Sequence, residues 1–150
     1  MSGKRKIYVD TNVLINYSTN QSHDVECLNY LFRNVRKELL FTSSLAVVQA
    51  ISVLQTKKTN RKKFSKKEIT DFGNEIFRKF SIIELSKKDI EKSFNEDNED
   101  VEDSVHYILA NKLKCNVLIT NNIGDFRVFR NKIITLTPKD LQGVRRVVSK

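Results

Sequence analysis

Five short apolar runs alternate with stretches of helical period along this chain, and that alternation constrains its fold more than any other feature. Lys6–Asp10 (KIYVD) reads as a short buried strand, and comparable runs recur at Leu39–Thr42, Ser81–Leu85, Asn116–Thr120 and Lys132–Leu136. From Asp24 to Lys37, Val25, Leu28, Leu31, Phe32 and Val35 mark one helical face. From Leu45 to Lys57, Leu45, Val48, Ser52 and Val53 do so less cleanly. The clearest helix begins at Ser65: Ser65 and Glu68 form a capping-box pattern, Phe64 is placed to staple against Ile69, and Ile69, Phe72, Ile76, Phe77 and Phe80 keep the period. A further helix is predicted over Val101–Lys114, with Val101, Val105, Ile108 and Leu109 inward. A short last one follows Thr137 as N-cap, with Pro138 in its first position and Asp140 in its first turn. Strands alternating with helices predict an α/β domain, a three-layer α/β/α arrangement whose mostly parallel central sheet is covered on both faces. Residues 1–150 fit a single domain, with no internal repeat or linker.

Charge narrows the class of partner. The net charge is +9, but six of the 18 acidic residues lie between Asn95 and Asp103, leaving 27 basic residues against 12 acidic ones elsewhere. A basic body with one concentrated acidic site suits a polyanionic substrate and a bound cation. No run approaches the length of apolar chain that a membrane span needs, and Met1 to Tyr8 has no apolar core of a signal peptide, so a cytoplasmic protein is expected. Cys27 and Cys115 lack any paired ligand spacing and read as buried free thiols.

In a parallel sheet, ligands bind outside the carboxyl ends of the strands. Asp10 closes the first strand there, although a helix N-cap is the ordinary job for Asp at such a turn. Asp100 and Asp103, three apart at a helix start, share a face, and first-turn acids also complement the helix dipole. Six acids in nine residues nevertheless repel one another in a way that a cation would relieve. The run lacks the ligand spacing and turn glycine of an EF-hand. Asp125 follows the fourth strand in Thr120–Phe126 (TNNIGDF), a stretch that otherwise reads as a polar loop anchored by Phe126. Three carboxylates from separate loops make a hard oxygen site of the kind Mg²⁺ or Mn²⁺ prefers. Neither His23 nor His106 lies in a recognisable nucleophile triad.

The segments IYVDTNVLI (7–15), DVEDSVHYILANKLKCNVLIT (100–120) and NNIGDF (121–126), with LTPKDL (136–141) closing the chain, together resemble the PIN-domain family in order and spacing. The resemblance implies an α/β/α fold, a Mg²⁺- or Mn²⁺-dependent ribonuclease activity and, as for VapC-type toxins, a cognate antitoxin. It matches Asp10 to the family's first acid, Asp103 to its helix aspartate and Asp125 to its late aspartate. The family's second acid is replaced here by Gln49, within TSSLAVVQAISVL. A glutamine carbonyl can ligate a hard cation but adds no charge, so weaker metal binding is expected, with Asp100 making good the lost charge. Asn122 stands where some members carry a further acid.

Seven basic residues crowd the eleven positions of KKTNRKKFSKK, namely Lys57, Lys58, Arg61, Lys62, Lys63, Lys66 and Lys67, a candidate RNA-backbone contact or else a solvated connector. Arg145 and Arg146 form a smaller patch. The expected reaction is phosphodiester hydrolysis with metal-activated water. The resemblance alone implies RNA rather than DNA as substrate and an antitoxin as partner; a homodimer is left open and no membrane association is expected. Gln49 also motivates a second reading, a catalytically weakened PIN fold that binds RNA or a protein. A haloacid-dehalogenase-type phosphatase expects a second Asp two residues after the first, where this chain has Asn12.

Overall fold

Ile7, Tyr8 and Val9 are wholly buried and form the central strand of the sheet, β1 (Ile7–Val9). The structure is a computed structural model and describes residues 4–56 and 62–141. After β1 come α1 (Thr11–Ser18), α2 (Ser22–Asn34), a 3₁₀ turn at Lys37–Leu39, β2 (Leu40–Ser43), α3 (Ser44–Leu54) and α4 (Lys66–Lys79). The chain continues through β3 (Ser81–Ile83), α5 (Lys87–Ser93), α6 (Val101–Lys112), β4 (Val117–Ile119), a 3₁₀ segment at Ile123–Phe129, β5 (Ile134–Leu136) and α7 (Pro138–Leu141).

The strand order is β3-β2-β1-β4-β5, and every pairing is parallel, so the sheet goes one step beyond the mostly parallel arrangement expected. Ile7 lies opposite Leu40 on one side and Val117 on the other. Alternate residues point to opposite faces. Ile7, Val9, Leu40, Val117 and Ile119 pack with Leu14 of α1, Leu28 and Leu31 of α2, Ala50 of α3, Ile76 of α4 and Leu141 of α7. Tyr8, Phe41, Ile83 and Leu118 face the other layer, where Val105 and Leu109 of α6 meet Phe126 and Phe129. Each large side chain fully buried in these two cores contributes about 2–3 kcal/mol of transfer free energy. Because both faces are covered, the three-residue strands β1 and β4 still read as continuous apolar runs.

Four local readings are corrected. Helix α3 buries Ala46, Val47, Ala50 and Leu54, while Val48 is 63% exposed; the helix is apolar nearly all round, so its period does not mark the inner face. Phe77 and Val101, expected inward, are 51% and 42% exposed. Helix α2 ends at Asn34 rather than Lys37, and Val35 turns extended. Helix α5 is additional: its only large apolar residue is Ile90, but Ser86 and Asp89 close a capping box at its start. The box predicted at Ser65 and Glu68 is present. Among the described residues, Cys27 and Cys115 are free and buried, and burial pushes both thiols up to about 12. No helix of the described residues is long and apolar enough to cross a membrane.

Candidate active site

The carboxyl ends of the strands converge on Asp10, which is both the N-cap of α1 and a buried acid, at 5% exposure. Its Oδ1 accepts the backbone N–H of Thr11 at 2.8 Å. Its Oδ2 accepts the Thr120 hydroxyl at 2.8 Å and the Asn12 amide at 2.9 Å. Asn12 is oriented in turn by Asn121, whose backbone and side-chain N–H groups both reach Asn12 Oδ1, at 2.9 and 3.1 Å. Asn121 also donates to buried Asp24 at 2.8 Å. The residues after β1 and β4 therefore hold one carboxylate in one rotamer from two sides. The N-cap role and a functional role do not compete here, since the cap uses part of one oxygen's acceptor capacity.

Asp103 stands one turn into α6, half-buried, above the same edge. Burial raises its pKa, and the charges of Asp100, Asp125 and Asp10 raise it further, to about 7. Exposed Asp100 caps α6 by accepting the Asp103 backbone N–H at 3.1 Å. Asp125 lies exposed on the 3₁₀ segment after β4, outside the cleft wall but near enough to act on Asp103. A cleft of about 380 Å³ opens between α1, α3 and α6, lined by Asp10, Thr11, Gln49, Glu102, Asp103, His106 and Asn122, among others. Among the described residues, neither Lys nor Arg lines it. Among the described residues, no three His, Cys, Asp or Glu side chains are grouped closely enough to hold a metal ion by themselves.

Gln49 does line this cleft, but its carbonyl is engaged. Oε1 accepts from the Thr11 hydroxyl and from His106 Nε2, both at 2.7 Å. His106 Nδ1 lies 2.7 Å from the Tyr8 hydroxyl, which lies 2.7 Å from Ser43 Oγ. Burial lowers the pKa of His106, against the opposing pull of Asp10, whose Oδ1 lies 3.6 Å from Nε2. Burial also pushes the Tyr8 phenol up, so it stays protonated. Sequence reasoning passed over His106, Thr11, Tyr8 and Ser43. The available signal was the three-residue step from Asp103 to His106, which places both on one face of α6.

The basic run is only partly described. Lys57, Lys58 and Arg61 lie outside the described residues, as do Arg145 and Arg146. Lys62, Lys63, Lys66 and Lys67 are exposed, and Lys67 pairs with Asp71 at 2.9 Å. Lys62 borders a groove with Ser18, Thr19 and Gln21, at the end of α1 away from Asp10. That helix is eight residues long, about 12 Å at the usual rise.

No family model matches the chain. It is 27% identical over 126 residues to Ribonuclease VapC1 of Aquifex aeolicus (strain VF5), covering 78% of this chain and 81% of that one. Among solved structures, the DNA-bound VapBC of Salmonella typhimurium matches with a TM-score of 0.61 at 15% identity, over 89% of this chain and 98% of that one. VapC20 of Mycobacterium tuberculosis, a Sarcin-Ricin loop cleaving toxin, matches with a TM-score of 0.56 at 11% identity, over 75% of this chain and 87% of that one. These likenesses agree with the resemblance carried by the sequence motifs: the chain has the VapC-like PIN fold, three α/β/α layers on a parallel sheet.

Proposed function

We propose that this chain is a divalent-cation-dependent endoribonuclease, the toxin of a toxin-antitoxin pair, acting at the cleft between Asp10 and Asp103. The observation that carries the reading is electrostatic. In a protein of net charge +9, the cleft receives Asp10, Glu102 and Asp103 and, among the described residues, no Lys or Arg, and burial, with the charges of Asp100, Asp125 and Asp10 added to it, drives the Asp103 carboxyl up to about 7. Like charges gathered at that cost fit a hard cation, and Mg²⁺ or Mn²⁺ commonly takes only one or two carboxylates, keeping water on its other positions. Asp10 and Asp103 would hold the ion, with Asp125 as a third acid from the rim and Asp100 contributing charge. The bound ion would supply an activated water and neutralise charge developing at phosphorus.

The chain's own residues orient the reaction. Thr120 and Asn12 keep Asp10 Oδ2 in a single direction, so the carboxylate needs no reorganisation when the cleft is filled. An empty acidic cleft repels a phosphodiester, and cation loading reverses that sign. Lys62 and Lys63, displaced along α1, would steer the RNA backbone toward it rather than read bases. The VapBC and VapC relatives support RNA as substrate and an antitoxin as partner.

The test is cleavage of a mixed RNA pool by purified protein with Mg²⁺ or Mn²⁺, beside chelator-treated protein and Asp10→Asn. Cleavage that needs the ion and disappears in Asp10→Asn is expected. A second reading, an RNA- or protein-binding PIN fold without catalysis, is favoured by the engaged carbonyl of Gln49 in place of a fourth acid. It predicts RNA retention with no cleavage under any cation.

A further inference from the structure

We infer that Gln49 and His106 form a hydrogen-bonded lock that positions Thr11 beside Asp10, so that Gln49 shapes the cleft without ligating the cation. The inference rests on the ribonuclease reading only for the effect of the lock on cleavage. A carbonyl oxygen accepts two good hydrogen bonds, and both at Gln49 Oε1 are made, by Thr11 Oγ1 and His106 Nε2, each at 2.7 Å. A cation at that oxygen would have to displace one of them. With the Gln49 carbonyl facing it, Nε2 carries the hydrogen, and Nδ1 then accepts from the Tyr8 hydroxyl.

The opposite side of the imidazole is equally constrained. His106 is 2% exposed, and its Nδ1 meets the wholly buried Tyr8 hydroxyl at 2.7 Å. Tyr8 in turn meets Ser43 Oγ, the N-cap oxygen of α3 that receives the Ala46 backbone N–H at 3.0 Å. One unbroken chain of hydrogen bonds thus joins α1, α3, α6, β1 and β2. In a dry interior such a chain is directional, and removal of one member leaves its neighbours unpaired. Its outward end is Thr11, whose backbone N–H donates to Asp10 Oδ1. A neutral acceptor at position 49 makes both bonds without adding a further negative charge beside Asp10 and Asp103. His106 is therefore a positioning residue.

Four variants test the lock: Gln49→Ala, His106→Ala, the double variant, and His106→Gln. In His106→Gln, an amide N–H can still donate to Gln49 and an amide carbonyl can still accept from Tyr8. Thermal melts followed by circular dichroism establish which variants fold, and His106→Gln and Gln49→Ala carry the test if His106→Ala does not. By NMR, the wild type should show a slowly exchanging His106 Nε2 proton, lost to solvent exchange in Gln49→Ala. Calorimetric titration with Mn²⁺ should give Gln49→Ala an affinity within about twofold of wild type. At saturating Mn²⁺, kcat for RNA cleavage should fall roughly tenfold or more in Gln49→Ala and His106→Ala with little change in KM, a displaced active-site group being worth up to about 10²-fold. The double variant should be no slower than the slower single one, and His106→Gln should recover most of the rate. A loss of Mn²⁺ affinity of about tenfold in Gln49→Ala would make Gln49 a ligand and overturn the lock. Additive losses in the double variant, or a folded His106→Gln as slow as His106→Ala, would overturn it as well. Wild-type protein that cleaves no RNA would sink the ribonuclease reading alone, with the His106 proton and the Mn²⁺ titration then deciding the lock.

Discussion

Asp89 and Asp103 are both carboxylates packed at helix α6, and their surroundings drive them in opposite directions. Asp89, 3% exposed, is penalised by burial, but the Lys112 ammonium at 2.9 Å and the Ser86 N–H and hydroxyl outweigh that penalty and hold it below the usual carboxylate range. Asp103 is penalised by burial too, and its neighbours Asp100, Asp125 and Asp10 add to the penalty. One end of α6 thus carries a satisfied ion pair that ties it to α5, and the other gathers like charges in a cleft that, among the described residues, has no Lys or Arg. The first arrangement stabilises the fold. The second opposes it, as buried like charges at a functional site do, and under the ribonuclease proposal a cation would relieve that cost.

The sharpest way to break the comparison is to remove each charge in turn. Asp103→Asn should lower RNA cleavage at saturating Mn²⁺ on the order of 10²–10³-fold, the usual effect of losing a main electrostatic group. Single-turnover rates check this, and a rate near wild type would remove Asp103 from the site. Asp89→Asn should leave the rate per folded molecule unchanged and lower stability by about 2 kcal/mol, less than for a deeply buried pair because Lys112 is partly exposed. Urea titration measures that loss, and unchanged stability would show the pair to be idle.

The pH dependence of metal-free protein gives the next smaller effect. Asp103 ionises near 3.8 when unfolded and near 7 when folded, so between those values the folded state binds more protons. Its contribution is fully present below the lower value and is lost as pH rises through the upper one. Asp89, lowered on folding, acts in the opposite sense: its contribution is present above the unfolded value and lost as pH falls through the folded one. Asp103→Asn should therefore flatten the fall in stability between pH 4 and 7 and leave the variant about 1 kcal/mol more stable than wild type at pH 8, once the solvent around a half-buried carboxyl is discounted. Denaturant titrations in chelator at both ends of that range decide the sign. The smallest effect belongs to exposed charge: replacing Lys62 and Lys63 with Ala should weaken RNA binding alike across sequences and flatten its salt dependence by roughly one unit of slope per lost phosphate contact. An unchanged slope would mark the run as a connector.

The same contrast sets how far the sequence can be read. The central strands β1 and β4 were legible because a doubly covered parallel sheet needs continuous apolar runs, and the other three because β-branched and apolar residues cluster between the helical stretches. Asp10 and Asp103 were legible because strand ends and helix starts fix where a side chain stands. Helix α5 was not, since KKDIEKS offers one large apolar side chain and no stripe. The Asp89–Lys112 pair joins residues 23 apart with no motif between them. The substitution of Gln49 was visible on its own, whereas its partner His106 looked like a lone histidine among the apolar residues of α6. Complementary hydrogen bonding is a property of pairs, and only the packed structure shows which residues pair.

The strand at the centre of the sheet comes first in the chain, and one of its two neighbours comes near the end. Thr120, which donates to Asp10, lies 110 residues downstream of it. A ribosome adding about 5–20 residues per second needs roughly 6–20 s to cover that distance. Throughout that interval β1 has at most β2 beside it, Asp10 lacks the Thr120 hydroxyl, and Asp103 and Asp125 arrive only late. The cleft therefore cannot take its final form around Asp10 until the residues that orient its carboxylate from the far side of β1 have been made.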